Sequence, residues 1–316
     1  MLKRVQHKVQ YKMRKETYYS NGKLLITGEY LVLNGVKSLA VPTKFGQDLE
    51  VSPALGKKIY WKSYDADGSI WFEDKIPFEA IIEKSTFIEN KIKNTLVEIL
   101  HHAYLLNPDF IETAEGYTIN TKLTFPRFGG LGTSSTLINN LGQWLQIDAF
   151  ELLKNSFGGS GYDIACAQTN QSIIYQIIDE KPVFETILFK PEFKEHIYFV
   201  YLNKKQSSRS AINNYLNKQF SLDKIKVKID KITEFVSQTD NINDFMAALD
   251  KHEILMSDVL EQLTVKESLF ADFSGTIKSL GAWGGDFVMV VSKENPLFYF
   301  NEKGYDIILK YEEMIL

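Results

Sequence analysis

Apolar residues change their period several times along the chain, and each change predicts a new element. Lys23 to Leu33 and Phe45 to Val51 read as strands, and Gly116 to Thr124 alternates as a half-buried strand does. Ile88, Ile92, Leu96, Ile99 and Leu100 recur at helical spacing and predict an amphipathic helix. His101 and His102 near its end read as helix surface rather than ligands. Leu137, Ile138, Leu141, Trp144 and Leu145 predict another helix directly after the strand that ends at Thr124. Further strands are expected over Ser172 to Ile178, Ile197 to Leu202 and Phe287 to Val291, with helices over roughly Ser208 to Leu263. Asp179-Glu180-Lys181-Pro182 is a polar break with a proline. The elements mix without a repeated unit, so two α+β domains are expected, over residues 1–182 and 183–316.

The junction between the strand ending at Thr124 and the helix after it carries the most specific chemistry. It reads Pro126-Arg127-Phe128-Gly129-Gly130-Leu131-Gly132-Thr133-Ser134-Ser135-Thr136. Glycines allow positive φ and close backbone approach, and the helix start offers unpaired N–H groups with a partial positive charge. An anion such as a phosphate suits that arrangement. The alternative is a tight turn with Thr133 or Ser134 as helix cap. A Walker loop is excluded, because Thr133 stands where that pattern needs lysine.

Composition narrows the classes. A chain of 316 residues with 44% apolar residues can supply two cores. The net charge of −4 argues against a nucleic-acid or membrane-surface partner. Five histidines and a single cysteine, Cys166, give no disulfide framework and no zinc-ligand spacing. Cys166 reads as a small packed residue, with its place three positions after Asp163 leaving sensitivity to alkylation open. The first 15 residues are basic but lack an apolar core, and no run reaches transmembrane length, so a cytoplasmic protein is expected. A small-molecule substrate is the expected partner, and monomer and homodimer both stay open.

Three more segments complete a pattern with the glycine loop: Ser20-Asn21-Gly22-Lys23-Leu24-Leu25-Ile26-Thr27-Gly28-Glu29-Tyr30, Gly158-Gly159-Ser160-Gly161-Tyr162-Asp163-Ile164-Ala165, and Lys278-Ser279-Leu280-Gly281-Ala282-Trp283-Gly284-Gly285-Asp286-Phe287. In this order the four resemble the motifs of the GHMP kinases, small-molecule kinases that include galactokinase, homoserine kinase, mevalonate kinase and phosphomevalonate kinase. Gly28-Glu29-Tyr30 is similar to the phosphomevalonate kinase form of the first motif. Gly161-Tyr162-Asp163-Ile164-Ala165 resembles the signature of the GYDIA group of bacterial members. Two departures stand out: Trp283 where the family usually has glycine, and Thr133 in place of the usual first serine.

The resemblance implies an S5-like N-terminal domain, a ferredoxin-like C-terminal domain and an active site between them. It implies ATP and Mg²⁺ as cofactors. Gly130, Leu131, Gly132, Thr133, Ser134 and Ser135 would hold the nucleotide phosphates, and the Ser134 hydroxyl would contact the metal. Asp163 matches the catalytic aspartate and Lys23 the lysine beside it, which would keep the carboxylate ionised and offset transition-state charge. By residue type alone, Asp163 is equally a helix cap and Lys23 an exposed strand residue. Glu29, Tyr30, Gly284 and Gly285 are expected on the acceptor side, with Ser208 and Arg209 from Lys204-Lys205-Gln206-Ser207-Ser208-Arg209. Glu151 lies in about the region of a second metal ligand, yet its helical context reads as a solvated glutamate. The expected function is transfer of the ATP γ-phosphoryl group to a small anionic metabolite, phosphomevalonate first and mevalonate as the alternative. A non-catalytic binding protein of the same fold stays open because of Trp283 and of the unplaced second metal ligand.

Overall fold

A computed structural model of the chain describes residues 15–127, 129–204, 208–218 and 220–316, the side chains of 208–210 excepted. Seven strands form the first sheet: β1 (Glu16–Leu25), β2 (Ser38–Pro53), β3 (Lys58–Tyr64), β4 (Ile70–Pro77), β5 (Tyr117–Leu123), β6 (Ser172–Ile178) and β7 (Lys181–Ile187). Their order is β4-β3-β5-β2-β6-β7, with β1 paired to β2. The 16-residue β2 is the spine, antiparallel to β1, β5 and β6, and the β3–β5 pair is parallel.

One face of this sheet is covered by helices α1 (Phe78–Ile82), α2 (Lys91–Leu106), α3 (Asp109–Glu112), α4 (Thr133–Leu145) and α5 (Ala149–Ser156), and the short helix α6 (Tyr162–Ala167) precedes β6. Leu49, Trp61 and Ile119 from the strands pack with Leu96 and Leu100 of α2, Ile138 and Leu141 of α4 and Leu152 of α5. The helical spacing seen in the sequence is this buried stripe. The first two of those periodic positions fall outside it: Asn90 caps α2 by accepting the Lys93 N–H at 3.0 Å, Ile88 ahead of it is exposed, and Ile92 in the first turn is exposed as well. His101 and His102 are half-buried rather than on the helix surface, and bond to Ile81 O and Glu98.

The second sheet contains β8 (Ile197–Tyr201), β9 (Thr276–Ser279), β10 (Phe287–Val291) and β11 (Ile308–Lys310), in the antiparallel order β11-β8-β10-β9. Between β8 and β9 run α7 (Ser208–Leu216), α8 (Leu222–Val236), α9 (Ile242–Leu260) and α10 (Val265–Leu269). Helices α11 (Leu297–Glu302) and α12 (Tyr311–Met314) flank β11. This β-α-β-β-α-β sequence with its 4-1-3-2 strand order is the ferredoxin-like pattern.

Among the expected boundaries that differ, two have a clear backbone cause. The first strand stops at Leu25 because the chain turns at Gly28, with φ +84°, into a short 3₁₀ turn at Leu31–Asn34. The polar break at Asp179 to Pro182 is a hairpin turn: Asp179 and Glu180 have φ 50° and 62°, and β7 returns along β6 as far as Ile187. The first sheet thus continues past residue 182. A shared core joins the two sheets, with Leu24, Leu39 and Val41 of the first packed with Phe199 and Met289 of the second and Phe245, Leu249 and Met256 of α9.

Candidate functional site

The glycine loop is a backbone device. Gly130 and Gly132 have φ +70° and +99°, and Gly132 is the N-cap residue of α4, so no side chain blocks the first helical N–H groups. The first helical bond is Thr136 N to Gly132 O at 2.9 Å, which leaves the amides of Thr133, Ser134 and Ser135 without helical acceptors. Ser135 and Thr136 turn their hydroxyls back onto Gly132 O at 2.9 and 3.0 Å, and Thr133 reaches toward Arg127 O at 3.4 Å. Ser134 is exposed on the open side of the turn.

Strand β1 brings Lys23 to this loop. The β1–β2 register shifts between Asn21 and Lys23, and at this point Gly22 comes so close to the loop that a Cβ there would lie 2.8 Å from Leu131 O. Lys23 N donates to Leu131 O at 3.0 Å, and its Nζ donates to Gly130 O at 3.2 Å. The same ammonium lies 5.5 Å from the Tyr162 ring centre. Burial pulls the Lys23 ammonium down, but Tyr162 and Asp163 outweigh it and hold the group above its ordinary value.

Asp163 stands in the first turn of α6, after Gly161 at φ +86°, and accepts the Ile164 N–H at 3.1 Å. It is half-buried. Burial lifts its carboxyl above the usual value while Lys23 and that N–H pull it down. The helix-cap and site readings therefore describe one location. Cys166 on the same short helix is fully buried and its thiol is pushed up by that burial, so it is packed and poorly reactive. Glu151 is exposed on α5.

Glu29 and Tyr30 lie deeper than expected. The Glu29 carboxylate is buried and ion-paired with Lys278 of β9, which also bonds Glu253 of α9 at 3.1 Å. His252 accepts the Gly28 N–H on Nε2 at 3.0 Å, and its imidazole is held neutral by burial and by Lys278. Tyr30 has φ 58°, stacks on Tyr215 at 5.6 Å and accepts the Trp283 backbone N–H. Trp283 itself is buried, with its indole N–H on Leu263 O at 3.0 Å. Gly284 has φ +75° and open space around it, and Gly285 N bonds Ala282 O. Ser208 and Arg209 open α7, and their side chains lie outside the described residues.

No local pattern marks a cavity of about 260 Å³ between the first sheet, α2 and the start of α4. Trp71, Ile92, Thr95, Leu137 and Phe157 line it together with Thr133 and Ser134. The Trp71 indole N–H, buried there, has no hydrogen-bond partner among the described residues. Asp286, in the third motif but without an assigned role, lies on the glycine loop: a Cβ on Gly130 would stand 2.3 Å from its Oδ2.

No protein-family profile matches the chain, and no curated protein does. Solved structures do. Methanococcus jannaschii mevalonate kinase is 17% identical over 94% of this chain and 97% of its own, with a TM-score of 0.63. Streptococcus pneumoniae phosphomevalonate kinase in complex with phosphomevalonate and AMPPNP is 15% identical over 91% and 95%, with a TM-score of 0.66. Lactococcus lactis galactokinase complexed with galactose is 13% identical over 92% and 88%, with a TM-score of 0.65. With these likenesses spanning both sheets and the loops between them, the chain has the GHMP kinase fold.

Proposed function

We propose that the chain is an ATP-dependent kinase of small molecules, which transfers the γ-phosphoryl group to a small anionic metabolite. Phosphomevalonate is the foremost acceptor and mevalonate the alternative. The observation that carries this reading is the convergence of Lys23 and Asp163 on a glycine loop whose helix amides are open, from three segments far apart in sequence. The division into two domains remains part of the proposal, now with the first extending through β7.

The nucleotide base fits the cavity beside Thr133 and Ser134, where Trp71 offers an aromatic face and a spare N–H donor. Its phosphates would follow the loop from Gly130 and Leu131 through Gly132 to the amides of Thr133, Ser134 and Ser135. Mg²⁺ suits the donor set. No trio of His, Cys, Asp or Glu able to cage a metal occurs among the described residues, and Mg²⁺ characteristically takes few protein oxygens and completes its shell with phosphates and water. The exposed Ser134 hydroxyl is one available oxygen. When bound, the cation would neutralise charge on the transferring group.

Lys23 would offset charge that grows on the phosphoryl oxygens, and Asp163 would hold the acceptor oxygen and receive its proton when that oxygen is an alcohol. A half-buried carboxyl raised by its surroundings is a better proton acceptor than an exposed one. The acceptor would enter beside Gly284, Gly285, Ser208 and Arg209. Glu29 and Tyr30 would serve it indirectly, by fixing the first motif to the third. The binding-only alternative rested on Trp283 in the third loop and on an unplaced second metal ligand; the indole bonded to Leu263 O speaks for a packing role of Trp283, and Mg²⁺-dependent turnover of ATP is what separates the two readings.

The test is a screen of the purified chain with Mg²⁺ and ATP over mevalonate, phosphomevalonate, homoserine and several sugars, with the phosphorylated product detected by mass. A product from phosphomevalonate or mevalonate supports the reading. ATP turnover with none of them sinks the acceptor assignment, and no turnover at all sinks the kinase.

A further inference from the structure

Lys23 is the cation of the proposed site, yet it is held there without a direct ion pair. Among the described residues no carboxylate stands within ion-pair distance of its ammonium, and its one hydrogen bond goes to Gly130 O at 3.2 Å. Asp163 and Asp286 act on it only from farther away. The near attractive neighbour is the Tyr162 ring, whose centre lies 5.5 Å from Nζ. That ring is set by the helix that carries it. Tyr162 opens α6 immediately before Asp163, so the two side chains leave the helix about 100° apart, and one turn of chain presents both a ring and a carboxylate. The half-buried ring packs against the small core that includes Leu25, Ala165 and Tyr175. The turn ahead of it is clamped as well: a Cβ on Gly161 would lie 3.1 Å from Phe150 and from the Tyr175 hydroxyl, which itself bonds Ser160 O.

We propose that Tyr162 is a positioning residue, whose π face holds the Lys23 ammonium beside the glycine loop and leaves its spare N–H groups for the oxygens of the transferring phosphoryl group. This rests on the kinase reading above. An ammonium has three donors, and Gly130 O takes one of them. A carboxylate paired directly with Lys23 would use another and cancel the charge that the phosphates need, whereas a ring attracts the cation through its quadrupole and takes no donor. The cation therefore stays both held and available. On this account the contact belongs to the face of the ring and not to the hydroxyl, so phenylalanine should serve in place of tyrosine and an aliphatic side chain of similar bulk should not.

The experiment compares wild type, Tyr162→Phe and Tyr162→Leu in the full chain, each alone and combined with Lys23→Met. In protein carrying ¹³C-labelled lysine, the Lys23 ε-methylene signal is identified by its loss in Lys23→Met. It should lie upfield of the ordinary lysine position in wild type and Tyr162→Phe, and return to that position in Tyr162→Leu. Turnover is measured with Mg²⁺, ATP and phosphomevalonate, or with mevalonate where that is the acceptor used. It should stay within about threefold of wild type in Tyr162→Phe and fall by about ten- to thirtyfold in Tyr162→Leu, with KM for ATP changed by less than about threefold. In the Lys23→Met background the leucine substitution should cost less than about threefold, because the group it acts through is gone. Equal losses in the two backgrounds would mark a packing role and overturn the proposal. A Lys23 signal unmoved in a folded Tyr162→Leu would overturn it too, and near-normal rates in Tyr162→Phe guard against a folding defect at this position. A wild type with the shifted signal but no turnover refutes the kinase reading, and with it the use of this contact in phosphoryl transfer, while the contact itself stands.

Discussion

The Tyr30 hydroxyl accepts the backbone N–H of Trp283 at 2.7 Å, so the first motif holds the third by a buried bond between residues 253 positions apart. With Trp283 pinned by its own indole to Leu263 O, the ring belongs to the shared core and not to the ligand space. In the cavity proposed for the nucleotide base, Trp71 is the tryptophan with an unbonded indole N–H. Fluorescence that changes on adding ATP should therefore disappear in Trp71→Phe and persist in Trp283→Phe. The reverse pattern would put Trp283 at the ligand. Trp283→Ala should also lower stability by about 3 to 5 kcal/mol, read by chemical denaturation, as other truncations of buried aromatics do.

Ser134→Ala should leave stability within about 0.5 kcal/mol of wild type, because the side chain is exposed and the N-cap of α4 is Gly132. Turnover with Mg²⁺ and ATP should fall by about tenfold or more, since a metal oxygen is lost. Thermal melts and initial rates measure the two effects separately, and full activity in the folded variant would exclude Ser134 from the metal.

Asp163→Asn should cut turnover by about 10²- to 10⁴-fold when the acceptor is mevalonate, whose alcohol must lose a proton during transfer. With phosphomevalonate the attacking oxygen is already mostly ionised above about pH 6, so a larger fraction of activity should survive and should rise as pH passes that value. Rate profiles from pH 5 to 8 with each acceptor check this. Wild-type rates throughout would leave Asp163 as a cap on the Ile164 N–H.

The Glu29–Lys278–Glu253 cluster makes a pH prediction. Burial raises the Glu29 carboxyl from 4.5 to about 7, against the pull of Lys278, with Glu253 adding to the rise and neutral His252 alongside. A carboxyl whose folded value is raised contributes stability that is complete below its unfolded value and is lost as pH climbs through the folded one. Wild type should accordingly lose stability between about pH 4.5 and 7 relative to Glu29→Gln, which cannot titrate at that position. Denaturant midpoints for both proteins at pH 5 and pH 8 measure the difference, and parallel pH dependence would refute the shift. Lys278→Met should be strongly destabilising at pH 8, by about 3 to 5 kcal/mol, because two buried carboxylates lose the lysine that pairs with both.

Local rules made the mixed α+β class and the glycine loop legible in the sequence. Helical spacing marked the core faces of α2 and α4, and the strand from Ser172 to Ile178 matches β6 residue for residue. The positive φ of Gly130, Gly132 and Gly161 belongs to the same class of signal, because glycine is used where a backbone must turn or come close. Long-range packing decided the rest. A lone glutamate in Gly28-Glu29-Tyr30 carries no sign that it will be buried, because its partner Lys278, shared with Glu253, arrives from β9 only once the two sheets share a core. Asp286 is next to the glycines of its own motif in sequence, but its place on Gly130 depends on backbone bonds to Leu202 and Lys204 in another segment. The polar break at Asp179 looked like a boundary because turn residues are the same in a hairpin and in a linker, and the pairing of β7 with β6 is what distinguishes them. Sequence determined which residues could do the chemistry; tertiary structure decided which charges meet, because that depends on distances no local pattern encodes.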